Sequence, residues 1–144
     1  MEKIDIIYFK QLCIYSLIIG GVCGILSSIP IIMPFLTLFF MPFLGAIPPI
    51  ILLIKTGFNP NETKTFAIFG GLSGVTICAG FLVSFVPLVA LIHLINKNYY
   101  DYGIQNLNLF LFCLFFVMIA TIYVTTNAVG GLLCGLIYNY FKGK

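Results

Sequence analysis

Long runs of apolar residues dominate the pattern of hydrophobic and polar positions along the chain. Formal charges are confined to both ends and to residues 55–64 and 97–101, which leaves the stretches 11–54, 65–96 and 102–141 uncharged. Each stretch exceeds the roughly 20 residues that cross a hydrocarbon core of about 30 Å. Because lipid offers no water to backbone polar groups, the pattern predicts that all three stretches are helical.

The first uncharged stretch is long enough for two crossings of a bilayer. As a single helix it would extend about 66 Å, at ~1.5 Å per residue. Pro30 and Pro34 disfavour helix in the residues before them and predict a tight reversal there. The predicted fold is therefore an all-α bundle of four transmembrane helices. It forms a single membrane domain, residues 1–144, with spans near 10–29, 35–54, 64–94 and 106–140.

Prolines inside the spans predict bends. The ring of Pro49 would press on the carbonyl of Gly45, so the second span is expected to bend there. In some transporters such broken helices mark a substrate site, whereas most prolines in membrane helices only kink them. Pro87 is the expected place for the third span to kink or end, which leaves open whether residues 88–95 cross the membrane or lie in the interface. The expected kink residues are Pro42, Gly45, Pro48, Pro49 and Pro87.

The lysines predict the orientation of the chain. Short cytoplasmic loops accumulate positive charge. If the N-terminus is cytoplasmic, only Lys97 lies outside, and the cytoplasmic lysines are Lys3, Lys10, Lys55, Lys64, Lys142 and Lys144. The sequence therefore predicts that both termini are cytoplasmic in an integral protein of the plasma (inner) membrane.

The composition excludes an ordinary soluble protein. Hydrophobic residues make up 61% of the 144 residues and charged residues only 8%, whereas a soluble domain carries about 25% charge. No basic patch of the kind that binds nucleic acid is present. The expected partners are the lipid bilayer and either a second copy of the chain or another membrane protein.

Pairs of glycines four residues apart recur in three of the predicted spans. This spacing places small residues on one helix face and lets two backbones approach closely. Counted from the nearest lysine, the pairs have similar depths, which predicts one contact region where the first, third and fourth spans converge. The pairs either pack within one chain, or at least one faces outward and forms a homo-oligomer. The expected packing residues are Ser16, Gly20, Gly24, Ser28, Gly70, Gly74, Gly131 and Gly135.

Uncharged polar residues are the remaining distinctive feature of the spans. No acid or base lies mid-span, which counts against a proton-coupled pump or a charged active site. Asn127 stands out because its amide has two donors and an acceptor that need partners. These polar groups either set the helix register through interhelical hydrogen bonds or line an aqueous path. The candidates are Ser73, Thr76, Ser84, Tyr123 and Asn127.

Reactive groups offer no recognisable chemistry. The five cysteines lie inside spans without metal-site spacing, and His93 is the only histidine. The sequence therefore predicts no catalytic residue, no metal site and no cofactor. It favours a non-enzymatic membrane protein that acts through close helix contacts, as a homo-oligomer or as a subunit of a larger complex. The alternative is a channel or transporter for a small neutral solute.

Overall fold

The computed structural model describes residues 3–29, 31–59, 63–95 and 109–142. The prediction of an all-helical fold is confirmed, and no strand occurs in these four ranges. The helices are α1 (Lys3–Leu26), α2 (Met33–Phe35), a π-helical segment (Leu36–Leu44), α3 (Ile47–Lys55), α4 (Thr63–Ile95) and α5 (Leu109–Lys142).

Three of these helices are long and apolar enough to cross a membrane. They contribute the candidate spans Ile6–Leu26, Thr63–Ile92 and Val117–Lys142. The π segment and α3 pass the same test only as a pair, which is bent by 40° at the residues between them. The described residues therefore contain three candidate spans, or four if the bent pair is one span. α2, the π segment and α3 are called the broken helix below.

The chain reverses directly after α1. Backbone hydrogen bonds close this turn: the amides of Ile32 and Met33 donate to the carbonyl of Ile29 at 3.0 and 3.1 Å. Pro34 lies in the first turn of α2, where a missing N–H leaves no helical hydrogen bond unmade. The reversal occurs where the sequence predicts it, although Pro30 itself lies outside the described residues.

The broken helix changes its winding at Gly45 and Ala46. The π segment has an i→i+5 register and contains the buried Pro42. α3 then starts with Pro48 and Pro49 in its first turn. Proline has no N–H, and at these positions an N–H would have no partner within the helix. The break thus coincides with the residue at which Pro49 is expected to bend the second span.

α4 is the central helix of the bundle. It packs against both α1 and α5, while the broken helix contacts α1 through α3 and contacts α5 through both halves. α4 continues through Pro87 to Ile95, so the helix does not end at this proline.

Two apolar cores lie between these helices. One surrounds α3 and includes the fully buried Leu53 and Phe66. The other surrounds the π segment and includes the fully buried Met41 and Ile77. One core therefore packs α3 against the long helices, and the other packs the π segment against them.

The beginning of α1, the end of α3 and the end of α5 lie at the same end of the bundle. The hydroxyl of Thr56 donates to Gln11 Oε1 at 3.2 Å, and Lys142 Nζ donates to Asn59 Oδ1 at 2.6 Å. This end is called the lysine end, because it carries Lys10, Lys55, Lys64 and Lys142.

Candidate functional site at the break in the second helix

The glycine pairs of α4 and α5 face each other. A Cβ added at Gly70 would overlap the carbonyl oxygen of Asn127 and lie 2.9 Å from the Cα of Gly131. A Cβ at Gly74 would lie 2.7 Å from the carbonyl oxygen of Tyr123. Gly135 has no room either, since its Cβ would lie 2.8 Å from Cδ2 of Phe66. The backbones of α4 and α5 are therefore in direct contact.

The glycine pair of α1 packs against a different part of α4. A Cβ at Gly20 would overlap the carbonyl oxygen of Ile77, and one at Gly24 would lie 2.6 Å from that of Phe81. From the α4 side, a Cβ at Gly80 would overlap the carbonyl oxygen of Leu17. All three pairs are thus used within one chain.

The expectation of a single contact region for the three glycine pairs is wrong. Gly20 meets α4 at Ile77, about 10 Å further along the helix than Gly70, where α5 makes its contact. The depths were compared by counting from the nearest lysine, which assumes that these lysines lie at one height. The contacts contradict this assumption, since Gly20 lies ten residues from Lys10 but meets Ile77, thirteen residues from Lys64, so the glycines form two contacts on α4.

Asn127 connects the α4–α5 contact to the broken helix. Its side chain is fully buried, and its Nδ2 donates to the carbonyl oxygens of Met41 and Tyr123, both at 2.8 Å. Its Oδ1 accepts a hydrogen bond of 2.6 Å from the amide of Ala46. Both donors and the acceptor are therefore paired.

The position of these bonds explains how the break is accommodated. In the i→i+5 register of the π segment, the amide of Ala46 would donate to the carbonyl of Met41. The carboxamide of Asn127 lies between these two groups and bonds to each of them. A side chain of α5 thus replaces a main-chain hydrogen bond at the point where the second helix changes direction.

Tyr123 supports the same helix near its beginning. Its hydroxyl donates to the carbonyl oxygen of Thr37 at 2.6 Å. In an i→i+5 register, the donor for this carbonyl would be residue 42, and Pro42 has no N–H. One turn before Asn127, Tyr123 therefore supplies the second hydrogen bond that the broken helix lacks.

The other candidate polar residues do not join this network. Ser73 Oγ donates to the carbonyl of Gly70 at 2.7 Å, and Thr76 Oγ1 donates to that of Leu72 at 3.0 Å, both within α4. Ser84 lies against α1, where its Cβ would be 3.0 Å from a Cβ at Gly24. The geometry thus favours a register-setting role for Asn127 and Tyr123 over a shared aqueous path.

The serines of the first span differ in their bonding. Ser16 and Ser27 are fully buried, and neither Oγ has a hydrogen-bond partner among the described residues. Ser28 Oγ donates to the carbonyl of Ile25 at 2.7 Å. Ser16 acts here as a small residue at the interior face of α1, in line with its proximity to Gly20 in the sequence.

Backbone groups make up half of the site, and the sequence did not point to them. Side chains of α5 donate to the carbonyls of Thr37 and Met41, and Asn127 of α5 accepts from the amide of Ala46. The only signal in the sequence is the set of prolines around them, which indicates that some backbone groups lose their helical partners. It does not indicate which distant residue replaces those partners.

Comparison with protein-family models, with curated proteins and with solved structures finds no match to this chain.

Replacing Tyr123 with phenylalanine tests the bond to Thr37. We expect the free energy of unfolding to fall by about 1 kcal/mol, since one interhelical hydrogen bond in a membrane protein contributes ~0.6 to 2 kcal/mol. Tyr138→Phe is the matched control, because it removes the hydroxyl's exposed bond to Asn59. Reversible unfolding in mixed micelles measures both variants. Equal losses in the two variants would contradict a special role for Tyr123.

Proposed function

We propose that the protein is a non-enzymatic integral membrane protein that acts through helix contacts, with a transmembrane helix of a second copy or of another subunit docked on α4 and α5. In this proposal the broken helix is the second span, the four spans leave both termini on one side of the plasma membrane, and that side is the cytoplasm. The non-enzymatic role rests on the sequence, whose spans carry no acid or base near their middle.

The orientation is supported by the charges at the lysine end. Hydrogen bonds from Thr56 and Lys142 bring this end of α1, α3 and α5 together, so their lysines share one side of the bilayer. The preference of positive residues for cytoplasmic loops then favours the lysine end as the cytoplasmic one. A reporter fused to the C-terminus tests this orientation, and activity outside the cell would contradict it.

A groove between α4 and α5 is the observation that carries the proposed contact. It has a volume of about 480 Å³, and every residue that lines it is apolar. On α4, the small residues Ala67 and Gly71 lie four apart. The groove is lined by Ala67, Ile68, Gly71, Leu72, Val75, Val124 and Ala128. Small residues at this spacing let another helix approach closely in lipid, where packing replaces the hydrophobic effect. The glycine pairs used within the chain cannot serve this purpose, so the groove is the surface proposed for assembly.

Filling the groove with Ala128→Leu or Ala67→Leu tests the assembly. We expect the associated fraction to fall about tenfold, because lost close packing of ~1.4 kcal/mol corresponds to that factor. Ala79→Leu is the matched control, since Ala79 is an exposed alanine of α4 outside the groove. Native mass spectrometry from gentle detergent reports the mass of the assembly and of any copurified membrane protein.

The outcomes of this experiment separate assembly from folding. Loss of the larger mass in the groove variants, with the fold and the control unaffected, supports the proposal. A wild-type chain that is found only as a monomer with no copurified subunit contradicts it. So does a control that loses association as strongly as Ala128→Leu.

A further inference from the structure

A cavity that shares no residue with the groove lies beside the candidate site. It has a volume of about 430 Å³ and is lined by residues of α2, the π segment, α4 and α5. Its walls include Leu38, Phe43, Leu82 and Ile119, and Tyr123 forms part of the wall beside the helix break. This volume is nearly three times the ~150 Å³ of an apolar protein cavity that binds benzene.

The polar groups in the cavity wall are already paired. The hydroxyl of Tyr123 donates to the carbonyl of Thr37, and Thr37 Oγ1 donates to the carbonyl of Met33 at 2.7 Å. A buried water needs about two to four polar partners. Because both hydroxyl donors of the wall are already used and the other wall residues carry no hydroxyl, amide or charged group, an apolar occupant fits the cavity better than water.

The cavity lies between helices that are long and apolar enough to cross a membrane. Cys78, another wall residue, lies at the middle of the candidate span Thr63–Ile92, and Tyr123 lies in the half of Val117–Lys142 that is distant from the lysine end. In the proposed arrangement in the bilayer, acyl chains therefore lie beside the cavity.

Lipid chains can also reach the cavity from the side. It is only partly enclosed, and three of its wall residues have large exposed fractions: Leu38 with 64%, Phe43 with 59% and Ile122 with 50%. These side chains face the surroundings of the bundle as well as the cavity. A chain lying along the bundle can thus enter without opening any helix contact.

We propose that this cavity binds one hydrocarbon chain of a membrane lipid from the leaflet distant from the lysine end. The chain fills the space that the broken helix leaves between α4 and α5. It covers the Tyr123 to Thr37 hydrogen bond and keeps competing polar groups away from it. The protein is thus a lipid-binding protein at this site, whatever partner docks on the groove.

Leu82→Phe tests the proposal, because Leu82 is a half-buried residue of the cavity wall. We expect wild type to retain one lipid per chain in native mass spectrometry after transfer to detergent. The retained fraction falls about tenfold in the variant, equivalent to losing roughly two methylene groups of contact. Val83→Phe is the control, since the adjacent Val83 is 73% exposed and lies outside the cavity.

A second measurement covers the case in which detergent displaces the lipid. The chain has no tryptophan, so Phe81→Trp places a single tryptophan in the cavity wall. In vesicles of lipids with brominated acyl chains, we expect this tryptophan to be quenched at least as strongly as one introduced by Val83→Trp on the exposed surface. Adding Leu82→Phe should weaken the quenching at position 81 only.

Three results would overturn the proposal. The first is quenching at position 81 that is far weaker than at position 83 and is insensitive to Leu82→Phe. The second is equal loss of retained lipid in Leu82→Phe and Val83→Phe while both remain folded. The third is a dimer whose second copy shields position 81 from the brominated lipid.

Discussion

Asn127→Leu is expected to lower the free energy of unfolding by about 2 to 3 kcal/mol, because the change leaves the amide of Ala46 and the carbonyl of Met41 buried without partners. Leucine branches at the same atom as asparagine but carries larger methyl groups, so no cavity forms, and crowding against Met41 and Ala46 adds to the loss of the hydrogen bonds. The third bond, to the carbonyl of Tyr123 within α5, contributes less because that carbonyl remains in a helix. Reversible unfolding in mixed micelles gives the magnitude.

Thr125→Val is the control for the Asn127 variant. Thr125 is exposed on α5, and its hydroxyl bonds only to carbonyls of its own helix, those of Thr121 and Ile122, at 3.0 Å. We expect a change within about 0.5 kcal/mol. An Asn127→Leu variant as stable as Thr125→Val would show that the broken helix does not depend on the carboxamide. Amide exchange at Ala46, faster in the Asn127 variant alone, would locate the loss at the break.

The helices of this fold could be predicted from the sequence because their cause is local. An uncharged stretch in lipid has to bond its own backbone, and Pro34 and Pro49 limit where helix can continue. The reversal after α1 and the bend at Gly45 follow from those prolines alone. The continuation of α4 through Pro87 did not follow from the sequence, since a proline can either end a membrane helix or be accommodated inside it.

The candidate site could be predicted only in part because its cause is not local. The amide of Asn127 visibly needs partners, but those partners are backbone groups of Met41 and Ala46, more than eighty residues away. The sequence predicts a bend near Pro42 but not the π-helical register of residues 36–44, whose end bonds to the same distant side chain. Helix depths counted from lysines were likewise insufficient to show that α1 and α5 meet α4 at different heights.

Gly70→Ala and Gly71→Ala are expected to change stability in opposite directions, although the two glycines are adjacent. A Cβ at Gly70 would overlap the carbonyl of Asn127 and approach the Cα of Gly131 to 2.9 Å. Neither atom can move without separating α4 from α5, so we expect a loss of about 3 kcal/mol. A Cβ at Gly71 meets only ordinary contacts, such as the Cβ of Ala128 at 3.6 Å. Gly71→Ala also removes a glycine from a helix interior, which favours folding by roughly 0.5 to 1 kcal/mol.

The opposite signs make this pair a test of the helix arrangement itself. An error in measuring stability in micelles affects both variants equally, whereas a different rotation of α4 would exchange their effects. Separation of α4 from α5 also weakens the site, because the carbonyl that blocks Gly70 belongs to Asn127. Gly70→Ala should therefore speed amide exchange at Ala46, and Gly71→Ala should not. If both alanines are tolerated, α4 and α5 do not touch through their backbones, and Asn127 loses the support that aims it at the broken helix.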